Sequence, residues 1–227
     1  FSEDKLTANW VLEHFKVSEN DLKKVIAAAL EYGGDYADIF FEHSFYNSLS
    51  LRDGEVNATS ANVDFGVGIR VIKGDQTGYA YTENVSMPEM LKAAKTASRI
   101  ATGNAKVNAP VHISELKIAK NYYPITESWE EFAVELKKPF LQKINAQTFA
   151  LDKRVNKVMV FQNDSTSYIL FYNSEGLMAH DIRPMGSLGL VCIMEDGNRR
   201  EQAYAARSYH KGADFLTDDL VEILARE

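Results

Sequence analysis

Two stretches of this chain carry the same strand pattern at a single spacing. Val67-Gly68-Ile69 aligns with Leu188-Gly189-Leu190, Val56 with Leu177, and Ile39-Phe40 with Val160-Phe161, each pair 121 positions apart (188 − 67, 177 − 56, 160 − 39). Three strand segments that keep one offset without a gap restrict the fold more than composition does. The pattern predicts an α+β chain made of a duplicated unit: a helix, an antiparallel β-meander, and a second helix, with each sheet covered by its helices. The first repeat is placed at residues 1–102 and the second at 128–227, with a linker at 103–127 where Gly, Pro and Asn interrupt any period.

Local signals fill in the unit. Ser18 followed by Asp21 predicts a capped helix, with Leu22, Val25, Ile26, Ala29 and Leu30 on one face. Five strands are expected next, at YADIFFEH, NSLSLR, EVNATS, FGVGIRVI and the segment through Tyr79 and Tyr81. Asp53-Gly54 predicts a two-residue hairpin turn with positive φ at both positions. A helix follows, with Ser86 as cap and Pro88 in its first turn. In the second repeat Ser128 and Glu131 read as a capping box opening a helix, which Pro139 should break before a new one runs to about Asp152. The strands then recur from Asn156, and a last helix opens at Asp218. Beyond the fourth strand the second half gains a few residues.

Gly66, Gly68, Gly186 and Gly189 fall inside predicted strands. A strand glycine marks either tight packing of sheet on helix or the close approach of another backbone, such as an extended peptide in a groove. Both readings stay open on the sequence. Tyr79, Tyr81, Arg70, Arg183, Arg199 and Arg200 are the residues best suited to face a partner, because Tyr and Arg combine contact area with hydrogen bonding. Gly66, Gly68, Arg70, Tyr79, Tyr81, Arg183 and Arg199 are the candidates for a peptide channel or an interface.

Chemistry-bearing patterns are missing. The five histidines include no His-Glu-x-x-His or other helical metal pair. Cys192 is the single cysteine and sits in an apolar run, so it reads as a buried hydrophobe. His180 and Asp181 are strand neighbours that point to opposite faces. Neither a catalytic residue nor a metal ligand is assigned. The net charge of −7 and the lack of a basic stripe argue against nucleic acid, and no apolar run approaches the length of a membrane span. No signal peptide is visible, although residue 1 is Phe and a leader could have been removed.

The order DYADIFFEH, LRDGEVNATSANVDFGVGIRVIKGDQTGYAYTENVS, DKRVNKV and DIRPMGSLGLVCIMEDGNRREQ resembles the N-terminal half of the TldD/PmbA family, nearer its TldD branch, over residues 18–227. That resemblance implies a zinc metallopeptidase that degrades or processes unfolded or modified peptides, works as a homodimer or as a heterodimer with a paralogue, and resides in the cytoplasm. An older label for the family, modulator of DNA gyrase, finds no support in the acidic charge. The family's zinc is held by a His-Glu-x-x-x-His helix in its C-terminal half, and nothing in this sequence matches it. The expectation is an N-terminal, non-catalytic portion, inactive alone, that contributes dimer assembly and the peptide channel, with zinc bound in a C-terminal part outside this chain. The alternative is a stand-alone module that binds peptides or assembles without cutting them.

Overall fold

The computed structural model describes residues 7–102 and 124–227; most of the expected linker lies outside the described residues. The first helix, α1 (Ala8–His14), is absent from the sequence expectations. Thr7 caps it by accepting from the Trp10 N–H at 3.2 Å. The second, α2 (Glu19–Leu30), has the expected capping box: Ser18 accepts from the Asp21 N–H, and Asp21 accepts from the Ser18 N–H at 3.0 Å. Three strands follow, β1 (Tyr36–Arg52), β2 (Glu55–Lys73) and β3 (Gln76–Thr82), and then α3 (Met87–Thr102). The second half has α4 (Val134–Leu151), β4 (Val155–Asn173), β5 (Met178–Asp196), β6 (Arg199–Tyr209) and α5 (Asp218–Arg226).

The strand count corrects the expected five-stranded meanders. Each half has three long strands, because the proposed pairs YADIFFEH/NSLSLR and EVNATS/FGVGIRVI are each continuous. Polar residues at inward positions, His43 and Asn47, made β1 look interrupted; each finds a polar partner on the helix-covered side. The two halves also share one antiparallel sheet, in the order β3-β2-β1-β4-β5-β6. The hairpin registers repeat at the spacing seen in the sequence: Ile39 pairs with Ile69, and Val160 with Leu190.

Helices cover one face of this sheet. One core packs α1, α2 and α3 on Ile39, Phe41, Val67 and Ile69, and it also takes Tyr168, Leu170 and Ile182 from the second half. The other packs α4 and α5 on Val158, Val160, Leu188 and Leu190, and it takes Leu49 and Leu51 from the first. Fully burying each such side chain contributes roughly 1.5–3 kcal/mol. Neither half therefore closes a core from its own residues alone.

Two helix expectations are corrected. Ser128 accepts from the Glu130 N–H, not from Glu131, and caps a 3-10 turn (Trp129–Glu131). Pro139 lies inside α4 without breaking it. It is the sixth helical residue, so the only bond forfeited is the one its N–H would have given to Glu135. Packing of Leu141 and Ile144 against the sheet carries the helix through.

Lys137 of α4 is only 3% exposed and forms an ion pair with Asp164 of β4, itself 4% exposed. Asn47 donates to Asp164 Oδ1 at 2.8 Å and Gln162 to Oδ2 at 3.0 Å, while the Lys137 ammonium lies 5.3 Å from the centroid of Trp129. A buried charge is tolerated only when its partner and hydrogen bonds are complete. Lys137→Ala should therefore cost about 3–5 kcal/mol in urea unfolding, whereas the paired replacement Lys137→Met with Asp164→Leu should cost far less. Similar losses in both would show that the pair adds stability beyond solving its own burial.

Candidate functional site

The face of the sheet opposite the helices is uncovered among the described residues. Strand alternation puts Asp38, Phe40, Glu42, Ser44, Tyr46 and Ser48 there from β1, with Gly66, Gly68 and Arg70 from β2. Tyr79 and Tyr81 join them from β3, 58% and 70% exposed. A groove of about 640 Å³ runs over this corner, floored by Gly66 and Gly68 and walled by Phe40, Tyr46, Tyr79 and Tyr81. Three carboxylates, Glu42, Asp64 and Glu83, line it, and no Lys or Arg does.

The glycines make room for the chain's own groups. A Cβ on Gly68 would lie 2.4 Å from the Tyr79 hydroxyl and 3.0 Å from its ring, so Tyr79 lies flat across β2 only because position 68 has no side chain. Gly189 repeats the device: its Cβ would lie 2.6 Å from Phe161, whose ring stacks on Tyr204 at 5.9 Å. Gly186 faces the other side, where a Cβ would lie 2.4 Å from Trp129. At Gly66 a Cβ would meet the Thr82 carbonyl at 2.9 Å, where β3 ends.

The arginines are engaged in ion pairs within the chain. Arg70 donates to the buried Asp38 carboxylate through Nε at 3.0 Å, a contact that raises the guanidinium pKa further. Arg183 pairs with Asp181 at 2.7 Å and Arg199 with Glu201 at 3.1 Å, while Arg200 lies 3.6 Å from Glu195. Of the sequence candidates, Gly66, Gly68, Tyr79 and Tyr81 are brought together in the groove. Arg70 lies beside it, and Arg183 and Arg199 lie on the other hairpin. Sequence reasoning missed Phe40, Glu42, Asp64 and Glu83. The signal for the first three was available, since they alternate in step with the glycines.

On the covered side, His43 Nδ1 lies 2.9 Å from His14 Nε2, tying β1 to α1. Trp10 stacks on His14 at 4.7 Å, and the Tyr168 ring lies 4.7 Å from it. Tyr168 donates to Glu130; burial first, and then that carboxylate, push its pKa upward. Burial lowers the His43 pKa, opposed by the charge of Glu130. Cys192 is buried, which raises its thiol pKa. Among the described residues, no three His, Cys, Asp or Glu side chains converge in a way that could hold a metal ion. The zinc that the resemblance implies does not fit this chain's described side chains, and no chemical step is assigned to it here.

Residues 37–101 match domain 1, and residues 127–227 the central domain, of the PmbA/TldA metallopeptidase models. The chain belongs to the PmbA/TldD family of metallopeptidases. A TldD metalloprotease homologue of Haemophilus influenzae is 26% identical over 92% of this chain, but only 43% of that protein is covered. A metalloprotease of Methanocaldococcus jannaschii is 26% identical over 84% of the chain and 42% of its own length. The chain thus spans less than half the length of these relatives. The crystal structure of TldE from Thermococcus kodakarensis shares the fold with a TM-score of 0.61 at 18% identity, over 91% of this chain and 46% of that one. A proposed modulator of DNA gyrase from Bacteroides thetaiotaomicron gives 0.71 at 15% identity, over 97% and 49%. No helix of the described residues is long and apolar enough to cross a membrane.

Two outcomes follow from the geometry. Gly68→Val should lower stability by about 1–3 kcal/mol through overpacking against Tyr79, and adding Tyr79→Ala should recover most of it in thermal melts. Losses that simply add would show that Tyr79 is not the reason for the glycine. Because the His43 pKa is lower folded than unfolded, the unfolded chain binds more protons as pH falls below about 6.5, the ordinary histidine value. Stability should therefore fall through that window toward the folded pKa and be level above it, with a shallower fall in His43→Gln, read as urea midpoints against pH.

Proposed function

We propose that this chain is the N-terminal, non-catalytic portion of a zinc-dependent peptidase of the TldD type, in which it helps to build the dimer and walls the channel for an extended peptide. The observation that carries the reading is the match of both halves to successive metallopeptidase domains, joined to a length under half that of the relatives named metalloproteases. The substrate is an unfolded or extended peptide, the partner a second copy or a paralogue, and the compartment the cytoplasm. Zinc and the groups that activate water belong to a C-terminal portion. The uncovered sheet face, with its groove beside Tyr79 and Tyr81, favours a second reading: binding of peptides without cleavage.

Cleavage of an unfolded, fluorogenic polypeptide separates the two. The full-length relative is expected to cut it and to stop when a chelator is added, while this chain alone, pure and loaded with zinc, should give no chelator-sensitive turnover. Turnover by the isolated chain would overturn the non-catalytic assignment. A full-length protein that binds the polypeptide and leaves it intact would favour the second reading.

A further inference from the structure

α2 and α4 hold matching places in the two halves but turn different faces to the sheet. The 121-residue spacing relates Leu30, Gly34 and Val71 to Leu151, Val155 and Cys192 (151 − 30, 155 − 34, 192 − 71). In the first half these residues close on one another. A Cβ on Gly34 would lie 2.6 Å from Val71 Cγ1 and 3.2 Å from Leu30 Cδ2, so the two side chains already fill the space over that glycine. Leu30 is 5% exposed, and Tyr32, just beyond it, 7%. In the second half α4 is turned so that Thr148 is buried and Leu151 is 58% exposed. Lys153, at the place of Tyr32, is exposed.

The three matching positions therefore line a gap instead of filling it. A cavity of about 160 Å³ lies between the ends of α4 and α5 and the covered face of the sheet. Leu190 and Cys192 of β5, Ala203 of β6 and Leu224 of α5 line it together with Leu151 and Val155. The polar side chains that reach it are already committed. Thr148 Oγ1 donates to the Ile144 carbonyl at 2.8 Å, and Asp152 pairs with Arg154 at 2.6 Å. Arg226 pairs with Glu222, and Glu227 accepts from Arg207. A buried water makes about two to four hydrogen bonds. Among the buried side chains of this lining, only the Thr148 hydroxyl and, weakly, the Cys192 thiol could serve one. An apolar group that displaces so poorly held a water gains affinity.

We propose that this cavity is a binding site for a small uncharged apolar molecule, the size of one aromatic ring or a short branched alkyl group. The volume sets the size, since an engineered apolar cavity of about 150 Å³ takes up benzene. The lining sets the chemistry. A charged ligand would have to leave water for apolar walls, because the charges near the cavity already have partners. The occupant supplies in the second half the contact that Leu30 and Val71 make over Gly34 in the first. It bridges α4, α5 and β5, and so fixes the ends of both helices on the sheet. The site lies on the covered side, away from the groove beside Tyr79 and Tyr81, and does not rest on the peptide-channel reading.

The test uses this chain with toluene as the probe. At ten times the toluene Kd, the melting temperature should rise by about 3–5 °C. Cys192 is the single cysteine, so its reaction with a neutral thiol reagent reports on this cavity alone, and toluene should slow that reaction. Benzylamine and benzoate, similar in shape but charged, should do neither. Cys192→Leu fills the space. It should melt at or above the wild type and no longer respond to toluene. Ala203→Val, which encroaches from β6, should weaken the response. An equal rise in Cys192→Leu, or unchanged thiol reactivity under saturating toluene, would place the effect elsewhere and overturn the site. Equal binding of benzylamine or benzoate would overturn the selection for uncharged ligands. A Cys192→Leu protein less stable than the wild type would mean that the space is already filled, and would overturn the site as well.

Discussion

The antiparallel pairing of β1 with β4, from Asp38 opposite Asn173 to Arg52 opposite Met159, is the contact on which the rest of this structure depends. It joins two hairpins into one sheet, and both of its ends are pinned in the same manner. At one end the Asp53 N–H donates to the Val158 carbonyl at 2.9 Å, and its carboxylate accepts from the Val158 N–H at 3.0 Å. At the other the Ser174 N–H donates to the Ala37 carbonyl at 2.8 Å, and its hydroxyl accepts from the Ala37 N–H at 3.1 Å. Asp53 and Ser174 lie 121 positions apart (174 − 53), as do Ala37 and Val158 (158 − 37). The turn residue of each hairpin thus fastens the first strand of the other, which makes a slipped register costly at both ends.

The seam also explains why the two cores interlock. Strands as long as these reach across the whole sheet, so the far end of β1 supplies Leu49 and Leu51 to the core under α4 and α5, and the far end of β4 supplies Leu170 and Tyr172 to the core under α2 and α3. Between the cores the covered face turns polar: His43 meets His14, Tyr168 meets Glu130, and Asn47 and Lys137 meet Asp164. Such groups are tolerated because each has a partner, and they fix which helix lies over which strand. The helices are thereby committed to one side. The opposite face carries no helix among the described residues.

Much of this was legible in the sequence. The Asp53-Gly54 turn has φ of 51° and 86°, as its dipeptide implied, and the Ser18–Asp21 capping box forms as read. Such features are decided within a few residues. The 121-residue spacing recurs in the pairing, Ile39 with Ile69 and Val160 with Leu190, but a five-stranded meander did not foresee that register. What misled was polarity on a buried face. His43 and Asn47 made one strand look like two, since the partners that satisfy them, His14 and Asp164, come from remote parts of the chain. The same holds for α1, whose value lies in docking Trp10 and His14 on Tyr168, and for Pro139, whose cost is carried by sheet contacts. The groove residues were half-visible: Tyr79 and Tyr81 stood out by type, while Glu42 and Asp64 could be placed only by their alternation with the glycines, and Glu83 carried no such signal.

The sequence by itself determined the local elements, the turns, the spacing between hairpins and the absence of a recognisable metal motif, because each is set by short-range sterics or by residue type. Only the tertiary structure decided that the two hairpins make one sheet and that each core draws on both. Those outcomes depend on strand pairing between residues more than a hundred positions apart. Pairing at that range is fixed by the sum of many weak contacts across the seam, and no single stretch of sequence carries that sum.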